Sequence, residues 1–310
     1  MQQHEEKWIH HFVSEGYPAV EPLSSGMEGA VYRLDDQLIA KVWGDRSPEQ
    51  LHRLKDFYAH LDTAGLPFAT PLFHEIREAF GRTVTVERWL PGVPLDDKKF
   101  RTLDWPTVTG CLSQVLSAFA DVPDAPELRR LPVLSENNAL WSRHTQWPDA
   151  LTALVRRRVA QFGDQLQARV PGLDVKLEKL CKGLSTLDDV RPTLMHGDLT
   201  PGNILVGEDV RPVAVLDFGF LSGCGDPAFD AAVAGSIFDM YSPAAQETEA
   251  RLDEVLISDL GHTPHRLALY RAAYAVITSN AYDPAGQDGH FQWCIDMLSR
   301  DSVADALRGL

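Results

Sequence analysis

The chain has 310 residues, of which 44% are hydrophobic and 24% charged, which is the composition of a globular protein with a large core. Its formal net charge of −15 disfavours binding to nucleic acid or to an anionic membrane surface, because both attract basic proteins. The four cysteines form no CxxC pair, no signal-peptide pattern opens the chain and no apolar run could span a bilayer, so we expect reduced thiols in a cytoplasmic protein.

The N-terminal part of the chain predicts one helix followed by strands. Residues 4–15 have helical spacing, and residues 20–34 read as a hairpin with a polar, glycine-containing turn. The turn and the strand after it contain Ser24, Ser25, Gly26, Gly29 and Val31. Residues 38–43 then predict an alternating strand around Lys41, and a lysine that faces inward is costly unless it is paired. A plain hairpin and a lysine on an edge strand are the alternative interpretations.

Helices and strands alternate over the next hundred residues. A helix should begin at Pro48 with Ser47 as its N-cap, since proline is tolerated in the first turn and serine caps it. Strands are predicted near residues 72–76 and 83–88, the second running into Pro91-Gly92. Further helices are predicted at 106–122 and 149–170, and we expect the arginines at 156–158 to lie on a solvated face.

The most informative stretch runs from Met195 to Gly219 and reads MHGDLTPGNILVGEDVRPVAVLDFG. Asp198 and Asn203 lie five residues apart in a loop rich in glycine and proline. Two apolar runs joined by a polar turn follow, and they predict a hairpin that returns Asp217 to the neighbourhood of Asn203. Phosphoryl transfer needs such a set: one carboxylate near the attacking hydroxyl, with an amide oxygen and a second carboxylate for metal ions.

This stretch resembles the catalytic loop and metal motif of eukaryotic-type kinases, and its HGD variant with DLTPGNILV is most similar to the aminoglycoside phosphotransferase and choline kinase superfamily. The resemblance implies an α+β, two-lobed, protein-kinase-like fold, with a β-rich N-lobe that has one main helix and a mainly helical C-lobe. We expect the nucleotide-binding lobe to span residues 1–92, up to a hinge. Residues 93–310 would hold the catalytic loop and the acceptor pocket.

The same resemblance implies roles for individual residues. Asp198 would be the catalytic base, Asn203 and Asp217 the Mg²⁺ ligands, and His196 and Asp230 structural supports of the site. Lys41 would hold the α- and β-phosphates of ATP beneath the hairpin formed by Ser24, Ser25, Gly26, Gly29 and Val31. Adenine would be held by backbone groups of Glu87, Arg88, Trp89 and Leu90, with Val86 behind the ring, and GTP in place of ATP remains open. Either Glu49 or Asp56 would pair with Lys41.

The segment after Asp217 bears on the substrate. A short link, GDPAFD at residues 225–230, replaces the long activation segment of protein kinases, which disfavours a protein substrate. Residues 226–260 contain eight acidic residues and one arginine, which favours a cationic acceptor. An aminoglycoside or similar cationic antibiotic is therefore the first expectation. The alternatives are a macrolide, a choline-like amino alcohol and a metabolite resembling homoserine or a thio-sugar. A nucleotide-binding pseudokinase scaffold is the interpretation from a different class.

Overall fold

The computed structural model describes residues 2–26, 28–44, 46–96, 98, 103–134, 136–187 and 190–308. The chain divides into two compact units. The first comprises Met1–Pro94 and Ile204–Leu216, and the second comprises Leu95–Asn203 and Asp217–Leu310. Among the described residues, none of the helices combines the length and the hydropathy needed to cross a lipid bilayer.

The first unit is built on a five-stranded antiparallel sheet. Its strands are β1 (Glu21–Gly26), β2 (Gly29–Arg33), β3 (Leu38–Trp43), β4 (Phe73–Ala79) and β5 (Arg82–Arg88), in the order β1-β2-β3-β5-β4. Helix α1 (Gln2–Ser14) covers one face through Trp8 and Phe12, which pack with Ala40, Val42 and Val84. Helix α2 (Pro48–Thr63) contacts β4, where the rings of Tyr58 and Phe73 lie 5.1 Å apart.

Helix α2 begins as its sequence predicts. The Ser47 side chain accepts a hydrogen bond from the Gln50 N–H, and the Gln50 side chain accepts one from the Ser47 N–H. This reciprocal capping box satisfies two N–H groups that the first turn leaves without helical partners. The predicted start at Pro48 is confirmed.

The predicted hairpin after the catalytic-loop sequence is also confirmed. Strands β8 (Ile204–Val206) and β9 (Pro212–Val215) pair antiparallel, with Ile204 opposite Val215. A two-residue strand, β6 (Val93–Pro94), completes a three-stranded sheet in the first unit. The paired ends of the hairpin thus adjoin Asn203 on one strand and Leu216-Asp217 on the other, which is why the two predicted metal ligands emerge from the same end.

The second unit consists mainly of helices. A short sheet pairs β7 (Thr193–Met195) with β10 (Gly223–Gly225). The helices are α3 (Trp105–Ala120), α4 (Trp147–Gln167), α5 (Leu173–Ser185), α6 (Pro227–Ile237), α7 (Ala245–Ser258), α8 (Pro264–Thr278), α9 (Gly289–Leu298) and α10 (Asp301–Arg308). Helix α8 is buried from Leu267 to Thr278 and contacts α4, α5, α6, α9 and α10, so it is the central element of this unit.

Two expectations about charged side chains need correction. Arg158, expected on a solvated face, is buried and donates to the Ile277 carbonyl at 2.9 Å. Much of the acidic excess at residues 226–260 is also internal: Glu249 and Asp253 pair with Arg271, which is itself buried. Buried charges of this kind persist when they are paired, so these carboxylates hold helices together rather than face a ligand.

Candidate active site

The loop at residues 196–203 is held in place by a carboxylate from α6. The Asp230 side chain is 2% exposed, and its two oxygens accept hydrogen bonds from the N–H groups of His196, at 2.9 Å, and Gly197, at 2.7 Å. These two residues immediately precede Asp198. The backbone direction at the start of the loop is therefore fixed by a side chain more than thirty residues away.

Asp230 is presented to the loop by the way in which α6 begins. The Asp226 carboxylate caps the helix by accepting the Ala228 N–H at 3.0 Å, and Pro227 occupies the first turn. The Tyr270 hydroxyl and the Arg266 guanidinium bind the second oxygen of Asp226, and Trp147 Nε1 donates to that hydroxyl at 3.0 Å. The sequence GDPAFD thus encodes a helix cap followed, one turn later, by the loop support.

Burial raises the pKa of the Asp230 carboxyl to about 6, against the opposing effect of the hydrogen bonds from His196 and Gly197. The folded protein therefore binds this proton more tightly than the unfolded chain, and the stabilising contribution falls as the pH rises from about 4 to 6. We predict that the wild-type free energy of unfolding, minus that of Asp230→Asn, decreases across this window. Chemical denaturation at several pH values measures it, and a difference that is constant with pH would contradict the prediction.

Gly197 allows the loop to turn where another residue would collide. Its φ is +75°, and a Cβ at this position would lie 2.5 Å from Leu221 Cβ. Real Cβ atoms essentially never approach so closely. The glycine that distinguishes HGD from HRD is therefore required by packing against the residues that follow Asp217-Phe218-Gly219.

Asp198 and Asn203 are joined within the loop. Asn203 Nδ2 donates to the Asp198 carbonyl at 2.9 Å, and the Asp198 N–H donates to His196 Nδ1 at 3.2 Å. The Asp198 carbonyl can only accept a hydrogen bond, so the Asn203 side chain must bind it through Nδ2. The Oδ1 atom of Asn203 is then the one that could bind a cation. The His196 ring is fully buried and lies 4.5 Å from the Phe218 ring, so it also contacts the second motif.

Asp217 adopts an uncommon backbone conformation. Its φ is +56°, in the left-handed region, which costs free energy for a residue with a Cβ and persists only when the surroundings impose it. The following residues are fixed to the loop: the Gly219 N–H donates to Ser222 Oγ at 2.8 Å, and Ser222 Oγ donates to the His196 carbonyl at 2.6 Å. The side chain of Asp217 is exposed. This geometry presents a carboxylate from a rigid segment, as a metal ligand requires.

A cavity of about 610 Å³ opens beside Asp198, within the second unit. It is lined by Asp96, Asp198, residues 200–202, residues 237–242, Tyr274, Tyr282 and His290. These lining residues, all of them described by the structure, include three aspartates and no lysine or arginine. Of the eight acidic residues at 226–260, Asp239 alone is in this lining.

The predicted phosphate-binding lysine has a partner in the first unit that the sequence pattern does not indicate. Lys41 Nζ lies 2.7 Å from Glu28 Oε2, and Arg46 Nη2 lies 2.6 Å from Glu28 Oε1. Glu49, one of the two predicted partners of Lys41, forms an i,i+4 ion pair with Arg53. The Lys41 and Arg46 charges hold the pKa of the Glu28 carboxyl below its usual value, although burial acts in the opposite direction.

The predicted hairpin and hinge residues lie in the first unit as well. Ser24, Ser25 and Gly26 form the exposed end of β1, while Gly29 and Val31 lie in β2. A Cβ at position 29 would lie 2.0 Å from the Val42 carbonyl oxygen, so Gly29 permits the close approach of β2 to β3. Val31 is paired with Lys41 and therefore lies on the same face of the sheet.

At the predicted hinge, the side chain of Val86 lies on the opposite face of the sheet from the one expected. Val86 is 4% exposed and belongs to the cluster covered by α1, on the face opposite Lys41. This corrects its expected position behind an adenine ring, because neighbouring strand residues point to opposite faces. Glu87 lies on the Lys41 face, where its carboxylate accepts from the Thr85 hydroxyl.

Two backbone N–H groups of the predicted hinge already form hydrogen bonds within the first unit. The Arg88 N–H donates to the Leu72 carbonyl at 3.0 Å, and the Trp89 N–H donates to the Gln37 carbonyl at 2.6 Å. A nucleotide base bound to the backbone here would need groups other than these two N–H groups. Leu90 is the next residue in the predicted hinge. Leu90 itself is buried with Leu205 and Ala214.

A family model described as the phosphotransferase enzyme family matches residues 19–270, well over half of the sequence. The chain belongs to this family. Curated protein sequences contain no match to this phosphotransferase.

Three solved structures similar to this phosphotransferase are aminoglycoside or macrolide phosphotransferases. The GDP complex of a mutant aminoglycoside 2′-phosphotransferase-IIIa has a TM-score of 0.61 and 14% identity, with 99% of this chain and 97% of that chain covered. The macrolide 2′-phosphotransferase of Brachybacterium faecium has a TM-score of 0.54 and 18% identity, with coverage of 94% and 98%. A Streptomyces rimosus aminoglycoside phosphotransferase bound to ADP and streptomycin has a TM-score of 0.53 and 17% identity, with coverage of 89% and 96%. These likenesses confirm the expected kinase-like α+β fold.

Within the second unit of this phosphotransferase, hydrogen bonds link His196, Asp198, Asn203 and Asp230. Asp217 directly precedes Phe218, whose ring lies against that of His196. Glu28 and Arg46, which lie beside Lys41, are not predicted from the sequence, and neither are the aromatic residues that line the cavity. Glu28 lies in the predicted turn, so a search for charges near Lys41 across the hairpin would have found it. No sequence pattern marks the cavity tyrosines, because they come from three different segments of the chain.

Proposed function

We propose that this phosphotransferase moves the γ-phosphoryl group of ATP to a hydroxyl group of a cationic small molecule, of which an aminoglycoside or similar amine is the first to test. The observation that carries the proposal is the cavity beside Asp198. Among the residues that the structure describes, its lining has three aspartates and no lysine or arginine, so it favours a positively charged occupant. The cavity volume of about 610 Å³ is in the range of small-molecule sites.

Asp198 is the group that acts on the acceptor. Its carboxylate orients the hydroxyl and takes the proton as the oxygen bonds to the γ-phosphorus. The bond from that phosphorus to the bridging oxygen breaks, and ADP leaves. The hydrogen bonds from Asn203 and to His196 support this role because they fix the backbone on both sides of the Asp198 side chain. In such transfers, positioning contributes more than basicity.

Magnesium fits the donor set that the chain offers. Oxygen ligands suit this ion, and the Asn203 amide oxygen and the Asp217 carboxylate would supply two of them, with the nucleotide phosphates supplying others. When bound, Mg²⁺ would offset the negative charge on the phosphate oxygens. The chain's own contribution is the fixed direction of both ligands: Asn203 is tied by its Nδ2 atom, and Asp217 is held in a left-handed conformation.

On the nucleotide side, we propose that Lys41 binds the α- and β-phosphates beneath the hairpin of β1 and β2. The proximity of Arg46 adds a second cation near this point, although Glu28 currently neutralises part of the charge of both. Adenine and guanine differ at groups that backbone atoms would contact, so ATP and GTP should be compared directly.

The first experiment measures ADP release with Mg-ATP across aminoglycosides, peptide antibiotics, macrolides and amino alcohols, with mass spectrometry to detect the phosphorylated product. We expect one class of acceptor to gain a phosphoryl group, and Asp198→Ala to show none. Removal of Mg²⁺ with a chelator should stop the reaction and restoration of the ion should recover it. A panel in which no hydroxyl compound is phosphorylated, with either ATP or GTP, would count against the proposal.

A further inference from the structure

One side of the cavity beside Asp198 is aromatic. Tyr241 and Tyr282 belong to its lining and are 68% and 42% exposed, which is unusual for large aromatic rings. Tyr274, also in the lining, is 1% exposed. Exposed aromatic surface in a concave site is a feature of ligand-binding pockets.

The exposed ring of Tyr282 is held in a fixed orientation. It stacks on Phe220, with centroids 5.8 Å apart and an interplanar angle of 3°. It also meets the His290 ring edge to face at 5.0 Å and 88°. The His290 ring in turn stacks on Trp293. A ring fixed in this way binds a ligand with little further loss of conformational entropy.

The aromatic side chains Tyr241, Tyr282 and His290 of the lining carry no positive charge. Burial lowers the pKa of His290 to about 4, so the ring is neutral at physiological pH, and Nε2 lies 2.9 Å from the Thr278 hydroxyl. The Thr278 hydroxyl donates to the Tyr274 carbonyl, so it accepts from His290. Burial and the Asp198 charge both raise the pKa of Tyr282, which keeps its hydroxyl protonated. Neutral aromatic faces beside a carboxylate attract a cation that also has apolar surface.

The three carboxylates in the described lining of the cavity are too few for a ligand with many ammonium groups. Asp239 Oδ2 already accepts hydrogen bonds from Ser242 at 2.6 Å and from Thr248 at 2.9 Å. Asp198 is the proposed base, and Asp96 is exposed to solvent. Each ammonium group that enters a cavity without a carboxylate partner loses hydration that nothing replaces.

We propose that the acceptor is an amphipathic amine, a molecule that carries its hydroxyl and one cationic nitrogen on an apolar or aromatic body, and that Tyr241 and Tyr282 select it. This inference rests on the proposed function and narrows it from cationic acceptors in general to those with an apolar face. The cation lies between the aromatic faces and the carboxylates, and the apolar body covers the Tyr282 ring. A polycationic amino-sugar lacks that body.

The test uses the full chain and three compounds: N-benzyl-N-methylethanolamine, 2-(dimethylamino)ethanol and kanamycin. The first two share the hydroxyl and the cation and differ by one phenyl ring. We expect calorimetry to give at least about tenfold tighter binding for the benzyl compound than for the other two, the ratio expected for burial of a ring beside a cation. Turnover with Mg-ATP should rank the compounds in the same order.

Variants separate ring, hydroxyl and general structural effects. Tyr282→Leu should raise the KM for the benzyl compound about tenfold, with the KM for ATP unchanged, because it removes the aromatic face alone. Tyr282→Phe should retain wild-type KM values. Phe80→Leu, at an aromatic residue that is 54% exposed and outside the cavity lining, is the matched control and should change neither KM.

The outcomes distinguish this inference from the function on which it rests. Equal binding of all three compounds, preference for kanamycin, no binding of the benzyl compound, or a Tyr282→Leu variant with wild-type KM would overturn the inference. Transfer to kanamycin that requires Asp198 would still leave the proposed function standing. Tight, Tyr282-dependent binding of the benzyl compound without phosphate transfer to any acceptor would support the pocket chemistry and reject the proposed function.

Discussion

Replacing Asp198 by asparagine should lower kcat by about three orders of magnitude, within the range that general-base groups and their positioning contribute. Asparagine has nearly the same shape, so the Asp198 backbone bonds to His196 and Asn203 should survive. It cannot accept the proton of the acceptor hydroxyl, and it does not attract the cationic part of the acceptor. The loss should therefore appear in transfer and not in folding.

Three measurements check this expectation: kcat with a saturating acceptor, the dissociation constant of ATP, and the thermal unfolding midpoint. The last two should match the wild type. Asp164→Asn, at an exposed carboxylate on α4, is the matched control and should leave all three unchanged. Wild-type turnover in Asp198→Asn would remove Asp198 from the mechanism. Loss of stability comparable to the loss of turnover would show that its role is structural.

Features encoded by residues close in sequence were the most predictable. The cap of α2 joins Ser47 to Gln50, and the hairpin of β8 and β9 closes through a turn of a few residues. For the cap and the hairpin, the residue types and their spacing determine the local hydrogen bonds, and tertiary structure has little freedom to change them. In the catalytic loop, the bond from Asn203 to Asp198 also spans only five residues, but Asp230, far along the chain, holds the start of that loop.

Features that depend on distant packing were not predictable. Alternation places Val86 and Glu87 on opposite faces of β5, but only the position of α1 decides which face is the covered core. Arg158 is buried, and its guanidinium donates a hydrogen bond to the Ile277 carbonyl, 119 residues along the chain. From sequence alone, the acidic excess at 226–260 predicts a cationic acceptor, because sequence does not show that Arg271 pairs with two of those carboxylates.

Glycine is required at position 197 both by the local backbone conformation and by packing against a residue distant in sequence. Its φ of +75° is open to glycine at no cost, whereas an alanine there pays about 1–2 kcal/mol for the left-handed backbone. The Cβ of that alanine would also lie 2.5 Å from Leu221 Cβ, and relief of such a collision adds about 1–3 kcal/mol. Leu221 adjoins Ser222, which bonds to both His196 and Gly219, so the strain would spread to both motifs.

We therefore predict that Gly197→Ala loses about 2–5 kcal/mol of unfolding free energy, the sum of the two terms, and about a hundredfold in kcat, since displacement of a catalytic group by about 1 Å has that effect. Gly172→Ala is the matched control: its φ is +68°, yet no atom lies within 4 Å of a Cβ there. Denaturant unfolding and kcat, measured for both variants, separate backbone strain from collision. The control should show the backbone term alone, with wild-type kcat. Equal stability losses in the two variants would mean that Leu221 moves aside freely, and the requirement for glycine in HGD would then reduce to its backbone conformation.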